Sequence, residues 1–298
     1  MKNLILFFMT LLLLAQCQVA YARYCTIVES NCTEASFAFN ATLRKNILTR
    51  AILKEALSLL PYNLSPLRRE MLLFFLETHP LKFVLSYKEK EFSQKGAPML
   101  EVDVAVNKQV LKKVLKAIGV YFERKSLFFS LSTKGLDEKD HMELFNLETL
   151  SNMVEDPQEK GLHMEVTKVG RAYSGSLSFG KKLWSDTTPS LSLLWQHLWG
   201  KYFSLPEIKR KYYTIIQVCA HGWLTVAGLK FFEKDLCRHI EILDEVEMES
   251  LDMKEDIGGR WKIYTLRPSA LISFLTNYFL KREMEFQLTT LSSPSTNP

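Results

Sequence analysis

Two hydrophobic patterns, one with helical spacing and one with strand alternation, follow each other along this chain. Their order is the same in three successive segments. Residues 42–60, 66–78 and 108–118 carry apolar side chains at three- and four-residue spacing, which predicts helices, with Ser65 as the N-cap of the second. Residues 81–88 and 100–106 alternate apolar and polar side chains, which predicts half-buried strands. With a strand at residues 24–30, these elements predict a first β-α-β-β-α unit with one additional helix.

The same order predicts two further units. The second has strands at 126–132, 163–168 and 172–179 and helices at 137–153 and 190–203. The third has strands at 212–219, 245–253, 261–266 and 283–288 and helices at 226–243 and 268–280. Similar residues recur at a constant offset of 87 and favour a repeat. They pair Gly135 with Gly222, Met142 with Leu229, and Phe145 with Phe232.

These patterns predict an α+β fold of three successive β-α-β-β-α modules. Each module has a small mixed or antiparallel sheet covered by helices on one face. The predicted modules are residues 23–125, 126–205 and 206–288, preceded by a signal segment (1–22) and followed by a disordered tail (289–298). Since one sheet face or edge strand of each module stays open, we expect it to need a neighbour.

The first 22 residues have the pattern of a cleavable export signal. A short basic start is followed by a twelve-residue apolar run, too short to span a bilayer, and by Ala20-Tyr21-Ala22. Cleavage is therefore predicted between Ala22 and Arg23. An alternative is lipidation at Cys17, although Gln16 is larger than the residue usual before a lipidated cysteine. No other segment reaches transmembrane length, so we expect a periplasmic or secreted protein with at most peripheral membrane contact.

Composition and charge change this picture little. The chain has 298 residues, 47% of them hydrophobic, and a net charge of +5 that is concentrated in residues 23–125. Such a composition excludes a disordered or collagen-like chain, and the mild positive charge does not indicate nucleic-acid binding.

Four cysteines remain after the predicted cleavage: Cys25, Cys32, Cys219 and Cys237. An even number in an exported chain favours two disulfides, which proximity in sequence assigns as Cys25–Cys32 and Cys219–Cys237. Four reduced thiols are the alternative. The neighbouring His221 and His239 also allow a zinc site, but two ligands two apart on a helix cannot reach one ion.

No catalytic, cofactor-binding or metal-binding residue is predicted. Ser178 and Lys181 match S-x-x-K, but Gly180 interrupts them and no K-T-G follows. The H-x-E pairs at His141 and His163 lack the P-C-x-x-C of zinc deaminases, and phosphate-binding glycine motifs are absent.

Two helices carry side chains that could face a partner. Lys108, Lys112 and Lys116 lie four residues apart opposite an apolar stripe, which is typical of a solvated face, or alternatively of a contact with anionic lipid or polymer. Trp195 and Trp199 lie on one helical stripe, which indicates core packing, or alternatively an exposed face that docks a partner.

The order of elements resembles the ring-building modules of secretin N-domains. The first unit also resembles the N-terminal domain of the flagellar assembly protein T family, through residues 24–30, 44–60 and 100–119. This resemblance implies a periplasmic scaffold without a carried-over functional residue, and the chain lacks the barrel-forming region of secretins.

These observations favour an exported, non-catalytic bacterial envelope protein that binds or scaffolds a periplasmic assembly, through an envelope partner or self-association. Neither nucleic acid nor a cofactor is expected. The alternative is a periplasmic hydrolase or ligand-binding protein with a site between modules, which requires a deep cleft with converging carboxylates or histidines.

Overall fold

The computed structural model describes residues 23–29, 41–94, 97–122, 126–253 and 257–292, which form an α+β fold with small sheets. The predicted fold class is confirmed. The helices are α1 (Ala41–Leu59), α2 (Pro66–Glu77), α3 (Lys108–Ala117), α4 (Glu138–Ser151), α5 (Leu191–Phe203), α6 (Pro206–Tyr212), α7 (Val226–Leu236) and α8 (Pro268–Leu280). The strands are β1 (Arg23–Glu29), β2 (Val84–Gln94), β3 (Ala97–Val106), β4 (Leu127–Lys134), β5 (Met153–Glu155), β6 (Leu162–Val169), β7 (Ala172–Phe179), β8 (Lys182–Thr188), β9 (Thr214–Trp223), β10 (Glu245–Asp252), β11 (Ile257–Thr265) and β12 (Glu285–Ser292).

Internal contacts divide the chain into two compact units. The first holds the described residues up to Ile52 together with His79–Asn107, and the second holds Leu53–Thr78 and the described residues from Lys108 onward. Because the second unit contains two sheets and the first contains one, this division differs from the three predicted modules, whose boundaries stay a prediction.

The first unit contains an antiparallel sheet in the order β1-β3-β2. Its central strand β3 buries Leu100, Val102 and Val104, in keeping with the alternation in the sequence. Arg44 of α1 donates from Nε to both carboxylate oxygens of Glu89 on β2, at 3.0 and 3.1 Å.

The second unit contains a mixed sheet in the order β5-β4-β6-β7-β8, with α4 and α5 on one face. Phe129 of β4 meets the rings of Trp195 and Trp199 edge to face, at 6.1 and 5.3 Å between ring centres. A Cβ at Gly175 of β7 would lie 2.9 Å from Leu194 Cδ2 and 2.6 Å from the Glu165 carbonyl oxygen, so α5 packs directly on this strand.

The second unit also contains an antiparallel sheet in the order β10-β11-β9-β12. Val218 and Ala220 of β9 pack with Trp261 of β11 and with Phe232 and Phe279 from α7 and α8. Alternate residues of β9 therefore face this core, while the residues between them face the other side of the sheet.

Strand pairing differs between these two sheets although their elements follow a similar order. β4 pairs in parallel with β6, the first strand of the next hairpin, whereas β9 pairs antiparallel with β11, the second strand of its hairpin. β1 likewise pairs antiparallel with β3. The second and third sheets consequently have different topologies.

Helical residues that are 87 positions apart in the sequence also differ in burial. Met142 and Phe145 on α4 are 56% and 58% exposed, whereas Leu229 and Phe232 on α7 are buried. Leu144 and Leu147 take the buried positions on α4. Gly135 and Gly222 do correspond, because both have positive φ (71° and 105°) and both precede a helix.

Several element boundaries differ from the predictions. β8 and α6 were not predicted, and α7 ends at Leu236 instead of Leu243. The last strand continues to Ser292, because Thr289, Thr290 and Ser292 pair with β9. The part of the predicted tail up to Ser292 is therefore ordered in the sheet, while residues 293–298 lie outside the described residues.

Candidate functional site

The predicted lysine row on α3 is bound to carboxylates of the same unit. Lys108 Nζ lies 2.8 Å from Glu55 Oε2, and Lys112 and Lys116 Nζ lie 2.9 and 2.8 Å from Asp244 Oδ1. Lys112 and Asp244 are almost completely buried, with side chains 8% and 2% exposed. The prediction of a solvated face is therefore wrong for Lys112, while the alternative of a contact with anionic lipid or polymer stays a prediction.

Lys112 also closes the turn that follows α7. Its Nζ donates to the carbonyl oxygens of Ile240 and Leu243, the latter at 2.8 Å. Together with the ion pair to Asp244, these two hydrogen bonds surround the buried ammonium group with oxygen atoms.

Burial and charge shift the pKa values in this lysine–aspartate cluster (Lys112, Lys116 and Asp244). Burial lowers the pKa of Lys112 to about 8, against the opposing attraction of Asp244. Burial alone would raise the pKa of Asp244, but the charges of Lys116 and Lys112 hold it below its ordinary value. Burial, with a further contribution from Asp244, also raises the pKa values of Tyr121 and Tyr213. The cluster is thus a largely buried ion-pair network within the second unit.

Cys219 and Cys237 are free thiols in the structure, so the predicted bond between them is not formed. Cys219 alternates with the core residues Val218 and Ala220 and faces the opposite side of the sheet, whereas Cys237 follows α7 on the core side. Burial, with the charge of Glu233, raises the pKa of Cys237. Cys32, the side chain of Cys25, Cys17 and the cleavage site at Ala22 lie outside what the structure describes.

Other candidate residues are also separated or buried. Within the described ranges, no group of three or more His, Cys, Asp or Glu could hold a metal ion. Trp195 and Trp199 are fully buried, which confirms core packing and rules out the docking alternative. Ser178 Oγ donates to the His163 carbonyl oxygen at 3.4 Å, and Lys181 lies in the turn after β7.

The side of the five-stranded sheet opposite α4 and α5 carries an array of hydroxyl groups. The register aligns residues of β4, β6, β7 and β8 in three rows across the strands, and all of them are polar except Leu183 of β8. We call this surface the hydroxyl face. Its hydroxyl residues are Ser130, Ser132, Thr167, Ser174, Ser176, Ser178, Ser185 and Thr187.

A chain of three polar side chains crosses this face. Ser130 Oγ lies 2.9 Å from His163 Nδ1, and His163 Nε2 lies 3.5 Å from Glu165 Oε1. The sequence shows the H-x-E pair, but it gives no sign of Ser130, because the serine arrives through the pairing of β4 with β6.

This Ser-His-Glu arrangement lacks a feature that acyl transfer requires. An oxyanion hole needs donors about 3 Å from the developing charge. The peptide N–H groups of a sheet point within its plane toward neighbouring strands, while Ser130 stands on the face. The trio is therefore better suited to hydrogen bonding with a polar ligand.

An open groove of about 470 Å³ lies at α1 and α2. Leucines and Pro66 form most of its lining, and its charged residues are Arg69 and Glu70. Such a groove is not the deep cleft of converging carboxylates or histidines that the hydrolase alternative requires.

Among the described residues, no helix is both long enough and apolar enough to cross a membrane. Comparison with protein-family models, curated proteins and solved structures finds no match to this chain.

Proposed function

We propose that this protein is an exported, non-catalytic component of a bacterial cell-envelope assembly and binds its partner through the hydroxyl face. The observation that carries the proposal is the array of eight hydroxyl residues on a sheet whose other face is covered by α4 and α5. Hydroxyl groups both donate and accept hydrogen bonds, so this face can form many polar contacts at once.

The second unit has the hydrogen bonds and ion pairs between distant segments that are expected of a scaffold. Besides the lysine–aspartate cluster, Arg267 donates to the carbonyl oxygens of Ser58 and Leu60. Arg68 Nε donates to the Leu150 carbonyl oxygen at 3.0 Å, and Ser151 Oγ donates to that of Ile118 at 2.6 Å. Bonds between segments distant in sequence hold elements of the second unit in fixed positions, and those at Leu150 and Ser151 include α4 on the covered side of the five-stranded sheet.

The export signal and the resemblance to ring-building modules add to the proposal. Both come from the sequence, and both point to a protein that assembles in the envelope. The three separate sheets are compatible with such modules, although the second and third differ in strand pairing.

The proposal can be tested with the full chain produced in a Gram-negative host. We expect it in the periplasmic fraction, and chemical cross-linking there should yield an adduct with an envelope component or with a second copy. Light scattering of the purified chain distinguishes these two outcomes. Retention in the cytoplasm, or a monomer that forms no adduct and does not co-sediment with envelope material, would overturn the proposal.

A second candidate, an esterase, is favoured by the contact between Ser130 and His163. In this reaction Ser130 Oγ attacks an ester carbonyl and gives its proton to His163 Nδ1, the imidazolium returns this proton to the departing alcohol, and water then hydrolyses the acyl-serine. A fluorophosphonate probe should then label wild type and leave Ser130→Ala unlabelled, with Ser178→Ala as the matched control. The binding proposal predicts no labelling of any of the three proteins.

A further inference from the structure

We infer that the ligand of the hydroxyl face is an uncharged glycan chain. This inference rests on the proposed function, which makes the face a binding surface, and adds the chemical class of the partner. The evidence for this inference is the composition of the hydroxyl face, the spacing of its side chains and the balance of its charges.

The hydroxyl groups form a regular grid. Neighbouring strands lie about 4.8 Å apart, and side chains two residues apart on one strand lie about 6.8 Å apart. One central row contains Ser132, Glu165, Ser176 and Ser185. These short side chains leave the sheet surface accessible, so a flat and extended ligand can approach several rows together.

The hydroxyl groups keep bonding capacity for a ligand. Thr187 Oγ1 donates to Ser174 Oγ at 3.2 Å, and Ser176 Oγ donates to Glu165 Oε2 at 3.4 Å. Each hydroxyl offers one donor and two acceptor sites, so these contacts use only part of what the face provides. Sugar hydroxyls have the same combination of donor and acceptor.

The charges on the face favour a neutral partner. Lys134 contributes one positive charge and Glu165 one negative charge, so the face has no surplus with which to attract an anionic polymer.

An apolar edge adds a second contact suited to a sugar ring. Phe128 of β4 is 50% exposed and lies beside Val154 of β5, which is 42% exposed. Phe128 alternates with the buried Phe129 and so stands on the same side as Ser130. An aromatic side chain can pack against the apolar face of a pyranose while the hydroxyl rows bind its polar edge.

Co-sedimentation of the full chain with insoluble glycan tests this inference. The probes are microcrystalline cellulose and chitin, which are both insoluble and uncharged. We expect binding to at least one of them, with little change between about 50 and about 500 mM salt, because charge contributes little. Binding that is lost at high salt would overturn the inference in favour of an anionic polymer.

Substitutions on the hydroxyl face test whether the glycan binds there. The double substitution Ser132→Glu and Ser176→Glu places two charges in the central row and should weaken binding about tenfold or more, since several hydrogen bonds are lost. Thr289→Glu, on an exposed position of β12, is the matched control and should bind like wild type. Should the double variant fail to fold, the alanine pair at the same positions tests the same contacts.

The outcomes separate this inference from the proposed function. Absence of binding to both glycans overturns the inference, and equal binding by the double variant does so as well. If a protein adduct still forms in the periplasm, the proposed function stands with a different partner. If the chain stays in the cytoplasm, the proposed function fails whether or not it binds glycan.

Discussion

At the scale of single residues, sequence spacing identified charged groups but not their partners. The lysines of α3 are four apart, as on a solvated face, yet Asp244 lies more than a hundred residues away and turns two of them inward. A buried ion pair costs desolvation energy that only good geometry and further hydrogen bonds offset, and Lys112 has both. Because its partners come from tertiary packing, no local pattern could indicate them.

Removing the buried carboxylate should destabilise the second unit strongly. Asp244→Asn leaves the buried Lys112 and the partly exposed Lys116 without a counter-charge, so the free energy of unfolding should fall by about 3–5 kcal/mol. Urea denaturation followed by circular dichroism measures this change. The control Glu285→Gln, on an exposed strand position, should change it by less than about 0.5 kcal/mol. Equal effects of the two substitutions would contradict the assigned role of Asp244.

Glu148 should make stability depend on pH. Burial, with repulsion from Glu155, raises its pKa to about 7. The folded state therefore binds this proton more tightly than the unfolded state, and the stability from this group is lost as the pH rises from about 4.5 through about 7. Glu148→Gln should raise the melting temperature at about pH 8.5 and leave it nearly unchanged at about pH 4. An equal shift at both pH values would contradict this cause.

At the scale of elements, periodicity predicted most helices and strands but not how the strands pair. The N-cap at Ser65 is confirmed, since its side chain accepts from the Arg68 amide, and α3 begins at Lys108 as predicted. β8 was missed because Lys182–Thr188 alternates weakly, and its place at the sheet edge follows from pairing with β7. The hydroxyl face depends on such pairing, so its rows could not be read from the sequence.

Close packing of α5 on β7 should make Gly175 intolerant of a side chain. Gly175→Ala brings a methyl group against the Glu165 carbonyl oxygen and Leu194, and it should cost about 1–3 kcal/mol of unfolding free energy. Gly170→Asn in the β6/β7 turn is the control, because nothing lies within 4 Å of a Cβ there and Asn tolerates positive φ. A smaller loss for Gly175→Ala than for this control would contradict the packing.

The positions of Cys219 and Cys237 predict two separate thiols. The β-sheet lies between them, so alkylation of the unreduced, unfolded chain should label both, and the exposed Cys237 should react first in the folded protein. Peptide mass spectrometry measures both results. A peptide cross-linked between these two cysteines would contradict the structure.

At the scale of the whole molecule, the sequence predicted the fold class, while the structure supplied the surface on which the functional proposal rests. The prediction that each module leaves one sheet face open directs attention to the sides of the sheets opposite their helices. The chemistry of those sides differs: the four-stranded sheet presents charged residues such as Glu249 and Lys262, which lie 2.5 Å apart. The five-stranded sheet presents mainly hydroxyl groups, which makes it the stronger candidate for a binding surface.

The most direct test of the central claim is site-specific photo-cross-linking in living cells. A photoreactive amino acid at Ser176, in the centre of the hydroxyl face, should form an adduct with an envelope component. The same group at Gln287, on the exposed side of β12, should form none. Adducts at Gln287 but not at Ser176, or at neither position, would contradict the claim that this protein binds its partner through the hydroxyl face.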